Sequence, residues 1–272
     1  MTTHSKTYLI TGAASGIGAA IAAKLVGQGE QVMLADINFE GVQGVAGTLG
    51  VNAAAIRLDI RDAEDWERAF DATIARFGQL DVLINNAAVV RTGFARNVSL
   101  ADHQLTMSTN FMGPLTGMLG ALRRFRAAGS GHLVTVCSMT SFLPFMGIAS
   151  YGASKQALRA FHHAVALEER HSGIDFTIVH PTSTDTPMLE QEAADDDAAA
   201  CFMTESVSAE TVADTVIEAI KAKAIEVCMP EDGADRVKAL GTDPDKLHDL
   251  ADRMVERGRE ALAARRSAHS AA

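Results

Sequence analysis

Two side chains in the stretch SYGASKQAL, residues 150–158, have the types and spacing of an acid–base pair. Tyr151 precedes Lys155 by four residues, so on a helix the two share one face and the ammonium can lie beneath the phenol. A tyrosine phenol has a pKa of about 10, and lowering it by about 2 to 3 units needs roughly 3 to 4 kcal/mol in favour of the phenolate. A nearby positive charge supplies such a preference. The alternative is an ordinary helix start with the ring packed inward and the lysine in solvent.

A serine stands upstream, at the end of a predicted strand. Ser138 closes the apolar segment GHLVTVCS and lies thirteen residues before Tyr151. The carboxyl ends of parallel strands face the ligand crevice of an open sheet. Ser138, Tyr151 and Lys155 can therefore converge on one substrate oxygen. Ser141 is a rival for the serine role, but its spacing of ten residues from the tyrosine fits less well.

The elements that must position these residues follow a regular alternation of apolar and helix-length segments. Short continuous apolar strands joined by helices indicate a parallel sheet covered on both faces. The sequence therefore predicts an α/β fold, a doubly wound Rossmann architecture with an about seven-stranded parallel sheet and helices on both faces. A helix is predicted at 63–77 from the spacing of Trp66, Phe70, Ile74 and Phe77. The predicted strands are TYLIT (7–11), QVMLAD (31–36), AAIRLD (54–59), LDVLINNAA (80–88), GHLVTVCS (131–138), DFTIVHP (175–181) and AIEVCMP (224–230).

The chain is predicted to form one Rossmann domain over residues 1–230, followed by a helical tail at 231–272 that is charged and rich in alanine. Within the domain, residues 187–206 interrupt the alternation with an acidic middle and apolar ends. We interpret this insertion as a mobile lid that orders over the bound cofactor and substrate. The alternative is that its apolar residues only pack against the C-terminal tail.

A glycine-rich turn, TGAASGIG, follows the first predicted strand and opens the first helix. Its glycines, Gly12, Gly16 and Gly18, let the backbone N–H groups of the helix start approach a pyrophosphate. The second strand ends at Asp36, eighteen residues beyond Gly18. An acid at this distance accepts hydrogen bonds from ribose hydroxyls and repels a 2′-phosphate, which favours NAD over NADP as the cofactor. By itself, Asp36 could equally be a helix N-cap.

These motifs together resemble the short-chain dehydrogenase/reductase family in its short, single-domain form. The resemblance covers residues 6–230, and no single motif carries it. It depends on their order and spacing: TGAASGIG, Asp36, LDI at 58–60, NNAA at 85–88, STN at 108–110, Ser138, YGASK at 151–155 and HPT at 180–182.

The resemblance implies a role for each matching position. Tyr151 is similar to the family's acid/base, Lys155 to its electrostatic partner and ribose ligand, Ser138 to the substrate-oxygen anchor and Asn110 to the residue that holds a relay water. Two positions depart from the family pattern, Ala88 where glycine is usual and Thr182 where glycine follows proline. The implied cofactor-binding residues are Gly12, Ser15, Gly16, Ile17, Gly18, Asp36, Asp59, Ile60, Asn86, Ala87, Tyr151, Lys155, Pro181 and Thr186.

Charge and composition argue against several other classes of function. The formal charge of −10 and the pI near 5.3 disfavour binding to nucleic acid or to an anionic membrane, both of which need clustered positive charge. The three cysteines are far apart and form no metal-ligand or disulfide pattern, so no metal site is expected. No apolar run is long enough to span a bilayer. We therefore expect a cytoplasmic protein whose partner is a small-molecule substrate.

Three segments are expected to surround that substrate: the loop at 89–96, the stretch at 142–148 and the insertion after Pro181. They are rich in aliphatic and aromatic residues and show no cluster of arginine or lysine that would hold a phosphate. The sequence therefore predicts a NAD(H)-dependent enzyme that interconverts a secondary alcohol and a ketone on an apolar cyclic, aromatic or steroid-like substrate. The alternatives are an enzyme resembling sugar-nucleotide epimerases or dehydratases, and a non-catalytic NAD-sensing scaffold.

The resemblance also implies a homo-oligomer, with a tetramer favoured. In the family, the helices that correspond to those after Ser99 and Ser150 form subunit contacts. The second of these helices has a broad apolar face, which includes Ala157, Leu158, Phe161 and Val165.

Overall fold

The computed structural model describes residues 5–270, and its centre is a seven-stranded sheet in which all strand pairs are parallel. The spatial order is β3-β2-β1-β4-β5-β6-β9, and a separate pair, β7 and β8, lies outside this sheet. The strands are β1 (Thr7–Thr11), β2 (Gln31–Asp36), β3 (Ala53–Arg57), β4 (Val82–Asn85), β5 (Gly131–Val136), β6 (Ile174–His180), β7 (Thr184–Asp185), β8 (Val207–Ser208) and β9 (Glu226–Cys228). The predicted α/β doubly wound fold is confirmed.

Ten α-helices connect or follow these strands within the described residues. They are α1 (Gly16–Gly27), α2 (Phe39–Leu49), α3 (Ala63–Phe77), α4 (Leu100–Met107), α5 (Gly113–Ala128), α6 (Ala149–Glu168), α7 (Pro187–Ala193), α8 (Ala209–Ala222), α9 (Ala234–Gly241) and α10 (Pro244–Ser270). None of the helices within residues 5–270 has the length and apolar character needed to cross a membrane.

Helix α3 shows how local sequence sets these boundaries. The Asp62 carboxylate accepts hydrogen bonds from the first backbone N–H groups of the helix, and Gly78 ends it in the left-handed conformation at φ 89°. Trp66 and Phe70 are fully buried, and their ring centroids lie 5.5 Å apart. Ile74, the third residue of the predicted apolar stripe, is 38% exposed, so the buried face of α3 is narrower than its sequence indicates.

The sheet separates two layers of buried apolar side chains. On one face, α1, α2 and α8 contribute residues such as Ile21, Val42 and Val216. On the other face, α3, α5 and α6 contribute Trp66, Phe125 and Leu158, among others. Burial on both faces explains why the central strands read as continuous apolar runs.

The C-terminal region forms a third, smaller apolar cluster that lies away from the sheet. Residues 187–206 fold as α7 followed by a 3-10 helix at Asp196–Phe202, and α10 packs against them. Leu189, Phe202 and Leu262 are buried together in this cluster. The β7–β8 pair that frames the insertion was not predicted from the sequence, because each strand has only two residues.

Candidate active site

A cavity of about 900 Å³ opens at the carboxyl ends of the strands. We call its two parts the cofactor half, formed by the residues after β1 and β2 and by Asn86 and Ala87 after β4, and the substrate half, formed by the loops at 89–96 and 139–148, the insertion at 187–206, α9 and α10. Most of the residues predicted to form the site line this cavity: Gly12, Ser15, Gly16, Ile17, Asp36, Asn86, Ala87, Ser138, Tyr151, Lys155, Pro181 and Thr186.

The turn between β1 and α1 forms the floor of the cofactor half. Gly12 and Gly16 have φ values of 67° and 55°, which favour glycine over any residue with a Cβ. A Cβ on Gly12 would also lie 2.7 Å from the backbone Cα of Ala87. Ser15, just before α1, makes no capping hydrogen bond with its side chain, so the helix start can offer its N–H groups and this hydroxyl to an anion.

Hydrogen bonds to the neighbouring backbone hold this turn in place. The Asn86 side-chain amide donates to the Thr11 and Gly12 carbonyl oxygens at 2.9 and 3.1 Å. The Asp36 carboxylate accepts from the backbone N–H groups of Ala14 and Asn38 at 3.1 and 2.9 Å. Asp36 is therefore fixed at the end of β2, where it faces the cavity.

Ser138, Tyr151 and Lys155 lie together where the two halves meet. Tyr151 and Lys155 belong to the first turns of α6, and the Lys155 ammonium lies 5.5 Å from the centroid of the Tyr151 ring. The ammonium is buried and donates to the Val136 carbonyl at 3.3 Å. The Ser138 hydroxyl follows β5 and accepts from the Thr140 N–H at 3.1 Å. Two elements that are adjacent in space, β5 and α6, thus supply the three side chains.

The electrostatic surroundings of Tyr151 differ from what the sequence suggested. Burial raises the pKa of its phenol well above the ordinary value, the Glu192 carboxylate raises it further, and a hydrogen bond with Ser138 lowers it. Burial also lowers the pKa of Lys155. The described protein groups therefore keep the phenol protonated at neutral pH, and the expected lowering of its pKa is not produced by them.

Four predicted residues do not line the cavity. Gly18 packs against Gly12, Asp59 is paired with Arg61 at 2.6 Å, and Ile60 is a buried core residue. Asn110 is fully buried in a π-helical turn at Ser108–Met112. Its side-chain amide exchanges two 2.8 Å hydrogen bonds with the Val89 backbone, so this side chain fixes the loop after β4.

The rival serine belongs to a buried network behind the site. The Ser141 hydroxyl and the Ser138 carbonyl both contact Nδ1 of His180, at 2.8 and 3.1 Å. Nε2 of His180 lies 3.2 Å from Glu226. Burial acts to raise the pKa of Glu226, but hydrogen bonds from His180 and neighbouring cations hold it far below its usual range. Ser141 is therefore a supporting residue, and Ser138 is the serine that faces the cavity.

The substrate half is lined by more of the chain than the sequence indicated. Val89, Val90, Leu143, Phe145, Ile148, Met188, Leu189 and Met203 come from the three expected segments, whereas Phe94 and Phe202 do not reach the cavity. The C-terminal tail, for which the sequence predicts no part in the site, contributes a further wall. Its lining residues include Arg236, Val237, Leu240, Leu250, Arg253, Met254 and Arg257.

One signal in the sequence points to this wall. Leu250, Arg253, Met254 and Arg257 follow the i, i+3, i+4, i+7 pattern of a single helix face. The three arginines that line the cavity, Arg236, Arg253 and Arg257, are exposed and form no ion pair within residues 5–270, so they lie at the mouth of the cavity rather than in its interior. Within the same range, no group of three potential ligands is arranged to hold a metal ion.

Comparison with known proteins identifies the family. The family model for short chain dehydrogenases matches residues 6–197. The 2,5-dichloro-2,5-cyclohexadiene-1,4-diol dehydrogenase of Sphingobium indicum is 33% identical over 186 residues, which are 67% of this chain and 74% of that protein. The 3-alpha-(or 20-beta)-hydroxysteroid dehydrogenase of Mycobacterium bovis is 30% identical over 185 residues, 68% of this chain and 71% of that protein.

Solved structures agree with this assignment. The 3-ketoacyl-(acyl-carrier-protein) reductase from Brucella melitensis, complexed with NADH, has a TM-score of 0.75 at 26% identity and covers 82% of this chain and 95% of its own. A short chain dehydrogenase/reductase from Burkholderia phymatum in complex with NAD has a TM-score of 0.80 at 22% identity. The match covers 90% of this chain and 96% of that protein, and at this identity it supports the fold alone. This chain therefore belongs to the short chain dehydrogenase family of oxidoreductases that use a nicotinamide cofactor.

Proposed function

We propose that the protein is a NAD(H)-dependent oxidoreductase that interconverts a secondary alcohol and a ketone, with Tyr151 as the acid/base. The observation that carries this proposal is the meeting of Ser138, Tyr151 and Lys155 on one wall of the cavity, next to the glycine turn. A hydroxyl, a phenol and an ammonium at one place can bind and protonate a single oxygen.

The cofactor half fits a dinucleotide on two independent observations. The glycine turn packs closely against the loop after β4, since a Cβ on Gly12 would lie 2.7 Å from Ala87, and it precedes the N-terminus of α1, which no side chain caps and which can bind an anion. Asp36, fixed by two backbone N–H groups, offers carboxylate oxygens to ribose hydroxyls and negative charge against a 2′-phosphate. We therefore propose NAD rather than NADP. When bound, the cofactor supplies or accepts the hydride, and the protein supplies orientation and the proton.

The protein side chains then divide the remaining work. Ser138 and Tyr151 hold the carbonyl oxygen of the substrate. During reduction the phenol O–H bond breaks, the proton passes to the substrate oxygen, and the buried Lys155 ammonium stabilises the phenolate that forms. Oxidation of the alcohol reverses these steps. Because the phenol is protonated at neutral pH, Tyr151 is ready to act as the acid in the direction of ketone reduction.

The substrate half favours an apolar skeleton. Its aliphatic and aromatic lining desolvates carbon and offers few partners to a highly polar molecule. Two relatives of this chain are a dehydrogenase of a chlorinated cyclohexadiene diol and a hydroxysteroid dehydrogenase, both named for ring substrates. We therefore propose a cyclic alcohol or ketone, including steroid-like rings, as the substrate class.

Replacing each of the chain's two tyrosines by phenylalanine tests the proposal. In an assay of NADH consumption over a panel of cyclic ketones, Tyr151→Phe should lower kcat by at least about a thousandfold, since it removes the proton donor. Tyr8→Phe is the matched control, because Tyr8 is buried in β1 and away from the cavity. Turnover by Tyr151→Phe within a few fold of wild type, with NADH still bound, would refute the assignment. NADH binding without turnover of any ketone would favour a non-catalytic sensor.

Cofactor preference is tested separately at Asp36. Wild-type protein should have a higher kcat/KM with NADH than with NADPH. Asp36→Ala should narrow that difference by about tenfold, because the repulsion of the 2′-phosphate is relieved. Glu40→Ala removes an exposed acid of α2 that does not line the cavity and should leave the ratio unchanged. A wild-type preference for NADPH would contradict the proposal.

We also propose that the protein acts as a homo-oligomer, with a tetramer favoured, in the cytoplasm. Leu158 and Val165, part of the apolar face invoked for subunit contacts, are buried inside the chain. The surface that supports the oligomer is instead formed by the exposed Leu100, Leu119 and Leu167 on α4, α5 and α6. Light scattering that finds a monomer at micromolar concentration would contradict the oligomer.

The cytoplasmic location is supported by the three free cysteines, which suit a reducing compartment.

A further inference from the structure

Glu192 is a buried acid in the substrate half that the proposed mechanism does not use. It lies on α7, is 9% exposed, and lines the cavity together with Tyr151 and Cys201. Its charge raises the pKa of the Tyr151 phenol, in agreement with their position in the lining of one cavity.

The other buried carboxylates of the described chain are neutralised by arginine. Asp65, 3% exposed, accepts from Arg57 at 3.2 Å and from the backbone N–H of Asp59 at 2.9 Å. Glu169, 9% exposed, pairs with Arg126 at 2.8 Å. Within residues 5–270, Glu192 has no such cation. The Glu192 carboxyl group has the thiol of Cys201 as its side-chain partner. Burial raises the pKa of Glu192 to about 7.

The local sequence of α7 turns this acid toward the cavity. Leu189 and Glu192 are three residues apart, on one helix face, and both line the cavity. Glu190 lies on the exposed side of the helix and pairs with Arg265 at 2.5 Å. The insertion therefore directs one acid to solvent and one into the buried wall of the cavity, where a carboxyl group without a cation is unfavourable unless further hydrogen bonds satisfy it.

We propose that Glu192 binds a second hydrogen-bond-donating group of the substrate, a ring hydroxyl, while Ser138 and Tyr151 hold the reacting oxygen. This inference rests on the proposed function and narrows its substrate class to hydroxylated cyclic ketones and the corresponding diols. The apolar residues between the two polar ends, such as Leu143, Phe145 and Leu189, then hold the carbon ring. A substrate without the second donor leaves the Glu192 carboxyl group with only the Cys201 thiol as a side-chain partner, and a buried polar site rejects such analogues strongly.

The test compares matched ketones on the full-length protein with NADH. The probes are 2- and 4-hydroxycyclohexanone, each against the methylcyclohexanone of the same shape, and 4-aminocyclohexanone as an ammonium donor. Wild type should have a kcat/KM at least about tenfold higher for one hydroxyketone than for its methyl counterpart. Glu192→Gln, which keeps a hydrogen-bonding group, should retain that preference within about threefold. Glu192→Leu should lose it, chiefly through KM.

Glu190→Gln is the matched control on the same helix and should leave the preference unchanged. Calorimetric titration of cyclohexane-1,4-diol into NADH-loaded protein gives a readout that needs no turnover, and its affinity should fall in Glu192→Leu. A preference for the aminoketone over both hydroxyketones that is lost in Glu192→Gln would contradict a hydroxyl as the second group, because it would show that Glu192 binds a cation.

Two results would overturn the proposal. One is equal use of hydroxylated and methylated ketones by wild type. The other is an equal loss on both in Glu192→Leu, which would indicate a structural role. If turnover still depends on Tyr151, either of these results overturns only the role of Glu192 and does not contradict the proposed function. Absence of turnover on every ketone, with diol binding unaffected by Glu192→Leu, would overturn both.

Discussion

Two carboxylates mark the opposite halves of the cavity, and they are held in different ways. Asp36, in the cofactor half, accepts from two backbone N–H groups that lie within a few residues of β1 and β2. Glu192, in the substrate half, is buried against a thiol and faces a wall completed by a helix from the far end of the chain. The first acid is supported by local backbone geometry, whereas the second depends on long-range packing.

This difference indicates how each half is built. The cofactor half uses turns whose conformation is fixed by glycine and by short hydrogen bonds, so its shape follows from the residues next to it. The substrate half is formed where α7, the 3-10 helix and α10 bury Leu189, Phe202 and Leu262 together. We therefore expect substitutions in the first half to act on NADH binding, and substitutions in the second to act on substrate selection.

Among the substitutions that compare the two halves, the largest effect is expected for Gly18→Ala in the cofactor half. The new Cβ would overlap the Gly12 carbonyl oxygen and lie 2.7 Å from the Asn86 amide nitrogen, so the turn must open. Overpacking against backbone should lower the free energy of unfolding by about 3 kcal/mol and weaken NADH binding at least about a hundredfold. Urea unfolding and fluorescence titration with NADH measure the two effects.

Gly44→Ala is the control for this substitution, because a Cβ at this helical position of α2 meets no atom within 4 Å. It should be neutral or stabilising by about 0.5 to 1 kcal/mol. Wild-type affinity for NADH in a folded Gly18→Ala protein would show that the turn does not need this close approach.

A second prediction concerns the pH dependence of stability through Glu192. Burial raises the pKa of this carboxyl group to about 7 from an ordinary value of 4.5. The folded state therefore holds a proton more tightly than the unfolded state, so the contribution to stability is full below about pH 4.5 and is lost as the pH rises through about 7. The free energy of unfolding of wild type relative to Glu192→Gln should fall by about 3 kcal/mol across this range.

Urea unfolding of both proteins from pH 5 to pH 8 measures that difference. The matched control is Glu190→Gln, because Glu190 is more than half exposed and its removal should give a curve parallel to wild type. A constant difference between wild type and Glu192→Gln would mean that Glu192 ionises normally and is open to water.

A smaller effect is expected for Gly258→Ala in the substrate half. The added Cβ would overlap the backbone oxygen of Ala199, where α10 crosses the 3-10 helix. The helix must shift, so kcat/KM for cyclic ketones should fall about tenfold, while the Kd for NADH stays within about twofold of wild type. A parallel loss of NADH affinity would indicate that the two halves are coupled.

The smallest effect is expected at the mouth of the cavity. Arg253 and Arg257 are exposed, and charges in solvent are screened, so the double substitution by glutamine should change kcat/KM for a neutral ketone by less than about twofold. Arg259→Gln, on the same helix but beside a separate small cavity, is the control. The measurement is made at about 0.15 M salt. A tenfold change in kcat/KM for the neutral ketone would mean that the two arginines contact the substrate or support the cavity wall.

The fold was predictable because its signals are local and repeated. The predicted β1 and β2 agree with the observed strands residue for residue, and α3 has its predicted bounds. The fourth strand is shorter than its apolar run, since the chain leaves the sheet after Asn85 to form the cavity wall. The β7–β8 pair was missed, because two-residue strands carry no periodicity.

The candidate site divides along the same line. Tyr151, Lys155 and Ser138 lie together as their spacing indicated, because one helix turn and one strand end suffice to place them. Asn110 turned out to pair with the Val89 backbone, a contact between residues far apart in sequence. Glu192 and the tail face at 250–257 were missed for the same reason.

The sequence by itself determined which motifs follow one another along the chain. They are a glycine turn, an acid at the end of the second strand, and a serine, a tyrosine and a lysine at set distances. Each of these depends on backbone conformation within a few residues, which side-chain type specifies directly. Only the tertiary structure decided that the tail closes the substrate half and that Glu192 is buried beside Tyr151. Burial and the pKa it produces depend on which distant segments exclude water, and adjacent residues carry no record of that.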